Sequence, residues 1–138
     1  MTSAAMAAKA IREELKIKFP NIKFKVRSQN YSNGNSVNIS YKNAIPEDKI
    51  EAIVNKYQYG NFNGMIDLYE MTNDRKDIPQ AKYIFVNREI DQDILDTKKL
   101  EIAKKYGIEN PDDNMEWLKK FNQYSEQIVW KEVSKMTI

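Results

Sequence analysis

Apolar residues recur at helical spacing along the start of the chain. Ala4, Ala8, Ile11, Leu15 and Phe19 fall on one stripe, Thr2 or Ser3 precedes it as a cap, and Pro20-Asn21 ends it. The period then drops to two. Ile22, Phe24 and Val26 alternate with Lys23, Lys25 and Arg27, and Val37, Ile39 and Tyr41 alternate with Asn38, Ser40 and Lys42. That is the repeat of half-buried strands. Between them runs Asn30-Tyr31-Ser32-Asn33-Gly34-Asn35-Ser36, with Asn33-Gly34 as the turn signal, which predicts a hairpin with a long polar tip.

A second helix is predicted from Pro46, which is tolerated in a first turn, with Glu47, Asp48 and Glu51 near its positive end and Ile50, Ile53, Val54 and Tyr57 as its buried stripe. Tyr57 to Gly64 reads as a turn crowded with aromatics, Met65 to Met71 as a third strand and Tyr83 to Arg88 as a fourth. The fourth is apolar on both faces, which predicts a strand buried on both sides or central in its sheet. The link from Thr72 to Gln80 is polar and expected to be mobile. Helical spacing returns from about Ile94 to Tyr106, stopped by Gly107, and again from Asn110-Pro111 to about Lys135. The predicted order is αββαββαα: an α+β fold with one four-stranded antiparallel sheet. One domain spans 1–138, with residues 1–90 as its core and 91–138 as a helical appendage.

Composition narrows what this fold can do. The chain has no cysteine and no histidine, which excludes disulfides, thiolate zinc sites, Cys or His nucleophiles and every Ser-His or Cys-His pairing. Carboxylates with Mg²⁺, an activated lysine or a tyrosine remain for chemistry. No apolar run approaches the roughly 18 residues of a membrane span, and the N-terminus lacks the apolar core of a signal peptide. A cytoplasmic protein is expected, with no membrane partner. Net charge is only +2, but it is unevenly spread. No acid occurs between Leu15 and Pro46, a stretch that holds Lys16, Lys18, Lys23, Lys25, Arg27 and Lys42, whereas acids cluster at Glu89–Asp96 and Glu109–Glu116.

The basic hairpin is the first candidate site. If its apolar residues face the core, Lys23, Lys25, Arg27, Asn38, Ser40 and Lys42 share the opposite face, and Gln29, Tyr31, Asn33 and Asn35 extend it. Clustered cations beside amides and an aromatic suit a phosphate-bearing partner. The same pattern also suits a solvated face whose lysines keep sheets apart. Pro111-Asp112-Asp113 with Glu116 and Lys119 superficially resembles a metal nuclease signature, but it falls in the first turns of a helix, where acids cap. Asp91-x-Asp93-x-x-Asp96 lacks the glycine and distal glutamate of a calcium loop and reads as a helix start. Tyr57, Tyr59, Phe62 and Tyr69 around Gly60 and Gly64 suit either a partner-binding lip or closure of the core. Of Trp117 and Trp130, one is expected to pack.

A further pattern runs through the chain in order: Ala7-Ala8-Lys9-Ala10-Ile11-Arg12 with Leu15-Lys16 and Phe19-Pro20, Lys23 to Ser28, Gly34 to Tyr41, Tyr57-Gln58-Tyr59-Gly60, Phe62-Asn63-Gly64-Met65 and Tyr83 to Arg88. Over residues 3–90 this resembles the large polyvalent protein associated domain 29 family. Asn63 stands where that family is expected to prefer an aspartate, and the family offers no catalytic motif to carry over. The resemblance implies a setting on phages and conjugative elements and a role against, or alongside, host defences. A small chain of that origin, expected to stand alone, suggests an anti-defence inhibitor such as an anti-CRISPR. The expected function is therefore non-catalytic: stoichiometric binding of a host defence protein or nucleoprotein, such as a CRISPR effector, without cofactor or metal. A nucleic-acid-binding module is the alternative, and a carboxylate-dependent nuclease ranks last. The expected partner-binding residues are Lys23, Lys25, Arg27, Gln29, Tyr31, Asn35, Asn38 and Lys42.

Overall fold

A small-residue stripe decides how the first helix packs. In the computed structural model, which describes residues 2–138, α1 (Ser3–Lys18) buries Ala4, Ala7, Ala8, Ile11 and Leu15. Three alanines on that stripe let the helix axis approach the sheet closely, and Ile11 and Leu15 fill the space beyond them. The Thr2 hydroxyl accepts the Ala5 N–H at 3.2 Å and caps the helix. Strands β1 (Lys25–Tyr31) and β2 (Gly34–Lys42) pair antiparallel from Lys25↔Ser40 to Tyr31↔Gly34. The ladder thus extends through the stretch expected to be a polar tip, and the turn itself is only Ser32-Asn33.

Helix α2 (Glu47–Val54) follows and runs into a 3-10 turn at Asn55–Tyr57. The next strands, β3 (Asn61–Asn63) and β4 (Leu68–Glu70), are short and pair only with each other. Residues 64–67 are the turn between them, so Met65, Ile66 and Asp67, expected to begin a strand, do not. Strand β5 (Tyr83–Glu89) then joins β2 in parallel, from Ser36↔Tyr83 to Lys42↔Glu89. The α+β class holds, but the single four-stranded antiparallel sheet does not. The structure has a mixed three-stranded sheet, β1-β2-β5, and a separate two-stranded one, β3-β4. The reason lies in the connection. Parallel neighbours need a crossover, usually through a helix, and the segment from β2 to β5 contains α2. Strand β5 is consequently an edge strand, not a central one.

Both edges of this sheet carry side-chain hydrogen bonds. On β5, Gln58 Oε1 accepts the Ile84 N–H at 2.9 Å and Glu47 Oε1 accepts the Arg88 N–H at 3.0 Å. On β1, Arg12 Nη2 donates to the Val26 carbonyl at 2.6 Å. Such bonds occupy groups that an added strand would need. The Thr72–Gln80 link, expected to be mobile, is held instead. Gln80 is buried and donates to the Lys56 and Asn73 carbonyls at 2.7 and 2.8 Å while accepting the Arg75 N–H.

Two compact units result: one takes the chain up to Lys42 together with Glu47–Glu89, the other Asn43–Pro46 with Ile90–Ile138. In the first, Val26, Val37, Ile39, Ile50, Val54 and Tyr57 are buried with the α1 stripe. In the second, α3 (Gln92–Tyr106), α4 (Asn114–Phe121) and α5 (Ser125–Val133) enclose Trp117, Ile102, Ala103, Ile128, Val129 and Val133. Trp117 is wholly buried and its indole N–H donates to the Pro111 carbonyl at 2.8 Å, whereas Trp130 is half-exposed. The last two helices replace the single long one expected. Asn122, at φ 55°, ends α4 in the left-handed conformation that asparagine tolerates. Ser125 restarts the helix with its N–H and hydroxyl both donating to Asn114 Oδ1.

Candidate functional site

Directly paired residues on neighbouring strands point to the same face, so the register assigns the two faces of the three-stranded sheet. Val26, Ile39 and Val86 form one row across it, and Ser28, Val37 and Ile84 another. This side packs under α1 and α2. On the other side lie Lys25, Ser40 and Asn87; then Arg27, Asn38 and Phe85; then Gln29, Ser36 and Tyr83. Lys25, Arg27, Gln29, Phe85 and Asn87 are exposed. Glu89, opposite Lys42, is the sole acid on this side of the ladder.

The expected partner-binding residues therefore separate. Lys25, Arg27, Gln29, Tyr31, Asn38 and Lys42 share the open face. Lys23 is exposed but precedes β1. Asn35 belongs to the opposite face. Its Oδ1 accepts the Lys82 N–H at 2.8 Å and its amide donates to Ser3 Oγ at 3.3 Å, so it fastens β2 to β5 and to α1. The reason is register: with a two-residue turn, odd positions of β1 share a face with even positions of β2.

The open face also holds a chain of rings that the sequence did not assign to one surface. Tyr83 and Phe85 lie nearly parallel, 12° apart, with centroids separated by 5.7 Å. Tyr69 meets Tyr83 edge-on at 5.4 Å and Tyr59 meets Tyr69 at 5.9 Å. Gly60 makes room for this: a Cβ there would come within 2.1 Å of the Glu70 carbonyl and 2.6 Å of the Tyr69 ring. The Tyr69 hydroxyl donates to the Lys82 carbonyl at 2.6 Å, and the Lys82 ammonium sits 4.9 Å from the Tyr69 centroid and 5.7 Å from that of Tyr83. Burial, with neighbouring Tyr59 and Tyr83, pushes the Tyr69 phenol up to about 12, and burial likewise raises Tyr59. Both rings stay neutral at ordinary pH, so neither brings a negative charge to the face.

Of the aromatic group singled out in the sequence, Tyr59 and Tyr69 join this chain of rings, Phe62 lies exposed on β3, and Tyr57 does neither. Its hydroxyl donates to Glu14 Oε1 at 2.7 Å, and the ring is buried beneath α1. Phe85, expected to be covered, is 46% exposed. Apolar character on both sides of β5 had suggested burial of both, but only the Ile84/Val86 side is packed by helices.

The carboxylate candidates are engaged locally, one as a helix cap and the others in loop, side-chain and ion-pair contacts. Asp113 Oδ1 accepts the Met115 N–H at 2.9 Å, and Glu116 Oε2 accepts the N–H groups of Glu109 and Asn110. Asp112 pairs with Lys99 at 3.6 Å. Asp91 Oδ2 accepts from the Asn43 amide at 3.0 Å and Asp96 Oδ1 accepts from Gln92 at 2.9 Å. Among the described residues, no group of three or more His, Cys, Asp or Glu side chains is placed to hold a metal ion. Nor is any helix among them long and apolar enough to cross a membrane.

No curated protein and no solved structure matches the chain. The family model described as large polyvalent protein associated domain 29 matches residues 2–98, which takes in α1, the whole three-stranded sheet with its open face, and the first turns of α3. The chain belongs to the large polyvalent protein associated domain 29 family and is by that membership a phage- or mobile-element-associated protein.

Proposed function

We propose that this chain is a non-catalytic binding module that grips nucleic-acid phosphates with the open face of its sheet, in the cytoplasm of a bacterial host. One observation carries the reading: Lys25 and Arg27 project from the face that the helices leave uncovered, beside the amides of Gln29 and Asn38. Cations neutralise phosphates, and amides add hydrogen bonds that fix the strand's position. The candidate carboxylates engaged in a helix cap, loop hydrogen bonds and an ion pair support a role without catalysis. The test is fluorescence anisotropy with labelled oligonucleotides over a salt series. Affinity is expected to fall linearly with log salt, and Lys25→Glu with Arg27→Glu to weaken binding at least ten-fold while shifting the melting temperature little. Unchanged affinity in a folded double variant would falsify the assignment.

A second reading rests on the β3–β4 hairpin, where Phe62, Met65, Ile66 and Leu68 are all more than half exposed. Clustered exposed apolar side chains suit a protein partner. In the mobile-element setting this supports stoichiometric, anti-CRISPR-like occupation of a host defence protein or nucleoprotein. Affinity capture from a bacterial host, with and without nuclease, separates the two readings. A partner retained after nuclease treatment and lost with Met65→Ser and Leu68→Ser favours the second, and nuclease-sensitive recovery favours the first.

A further inference from the structure

We infer that the open sheet face selects single-stranded nucleic acid, with bases stacked on Phe85 and Tyr83 and the sugar-phosphate backbone running beside Lys25 and Arg27. The inference rests on the phosphate-binding reading and names its substrate class.

The order of chemistry across the sheet carries it. In the central row, Arg27 on β1, Asn38 on β2 and Phe85 on β5 are directly paired. Neighbouring strands lie about 4.8 Å apart, which puts roughly 10 Å between the cation-bearing strand and the ring-bearing strand. That is the scale of one nucleotide from phosphate to base. Asn38 stands between with an amide that donates and accepts.

The rings form a stack with one member open to solvent. Tyr83 and Phe85 are stacked, their planes 12° apart, and Tyr69, fixed by its bond to the Lys82 carbonyl, buttresses Tyr83 edge-on. Phe85 is 46% exposed although it stacks on Tyr83, so its outer surface is not used by the fold. A flat apolar ring facing water gains most from a partner with a flat apolar face of its own. Unpaired bases offer such faces, and stacking tolerates any sequence. A duplex keeps its bases stacked internally and presents only edges and phosphates, so it could use Lys25 and Arg27 but not the rings. Protein strand addition is disfavoured by the side chains bonded along both sheet edges.

The test compares single-stranded DNA and RNA oligonucleotides of about ten residues with duplexes of the same sequence, using the full chain. Single strands are expected to bind more tightly than either duplex. Phe85→Ala and Tyr83→Ala are each expected to weaken single-strand binding roughly ten-fold, with no comparable effect on duplex binding. Phe85→Trp should retain affinity. The salt slope should stay unchanged in Phe85→Ala and fall in Arg27→Ala, because only the second removes a phosphate contact. Folding of each variant is read from its melting curve, and Phe85→Trp guards against a structural explanation. Duplex binding as tight as single-strand binding, or single-strand binding indifferent to both ring deletions, overturns the inference and leaves the phosphate reading standing. Absence of binding to any oligonucleotide at low salt sinks both and turns the face into a protein-docking surface.

Discussion

The two faces of the three-stranded sheet are built from the same strands, residue by residue in alternation, yet they follow different rules. On the helix-covered face, Val26, Val37 and Ile39 are at most 6% exposed, and Asn35, one of the polar residues toward its margin, is bound to Ser3 and to the Lys82 backbone. On the open face, cations, amides and half-exposed rings stand together. Burial explains the apolar centre of the first face, since each side chain removed from water there stabilises the fold. It does not explain the second. Phe85 and Tyr31 remain about 45% exposed, and exposed aromatics on a sheet surface favour association. Lys25 and Arg27 counter that by charge, and their clustering with the rings is what a ligand-binding surface requires. One parity of each strand thus serves stability, and the other is the parity to which the proposed binding surface belongs.

Substitutions at adjacent positions can break this comparison. Ile39→Ala, wholly buried in the wild type, should lose about 2–5 kcal/mol in urea denaturation through lost burial and a residual cavity. Its neighbour Asn38→Ala, half-buried on the open face with its amide donating to Ser36 Oγ at 3.5 Å, should cost only about 0.5–1.5 kcal/mol while weakening nucleic-acid binding. Equal destabilisation by the two would mean that both faces are structural.

Asn35 sharpens the contrast at smaller amplitude. Asn35→Ala leaves the Lys82 N–H without its acceptor, and a loss of about 1–2 kcal/mol is expected. Oligonucleotide affinity, measured where the variant is fully folded, should match the wild type. A weakened complex would return Asn35 to the binding surface.

The smallest effect lies beneath α1. Burial alone would raise the Glu14 carboxyl, but hydrogen bonds from Lys56 at 2.9 Å and Tyr57 at 2.7 Å, with the charges of Lys56 and Lys18, hold it below the ordinary carboxylate value. A carboxylate depressed in the fold stabilises above its unfolded pKa, and that stability is lost as pH falls through the folded value. At neutral pH the wild type should therefore melt above Glu14→Gln by no more than a modest ion-pair margin. The gap should close on acidification below the usual carboxylate range. A gap that widens toward acid would show the sign to be wrong.

Much of this was legible along the chain. The switch from helical to two-residue spacing after Pro20 located α1, β1 and β2, and alternation alone placed Lys25, Arg27 and Asn38 on one face and Val26, Ile39 and Tyr41 on the other. That inference succeeds because side-chain direction within a strand follows from backbone geometry and needs no knowledge of neighbours. The capping role of Asp113 was legible for the same local reason, whereas the bonds that Glu116 accepts from the Glu109 and Asn110 N–H groups of the preceding loop were not. Asn35 was misplaced because the odd parity of the open-face positions in β1 was carried across the turn, whereas in β2 the odd positions, Asn35 with Val37, Ile39 and Tyr41, lie on the helix-covered face.

What only the tertiary structure decided was which strands become neighbours. Alternation in Tyr83–Arg88 gave two apolar faces but not the partner, the direction or the covering of either. Parallel pairing of β5 with β2 depends on the α2 crossover and on how α1 and α2 share a single face, which are long-range matters of packing. That pairing alone sets Phe85 in line with Asn38 and Arg27, and so brings rings and cations from opposite ends of the family-matched region onto one surface.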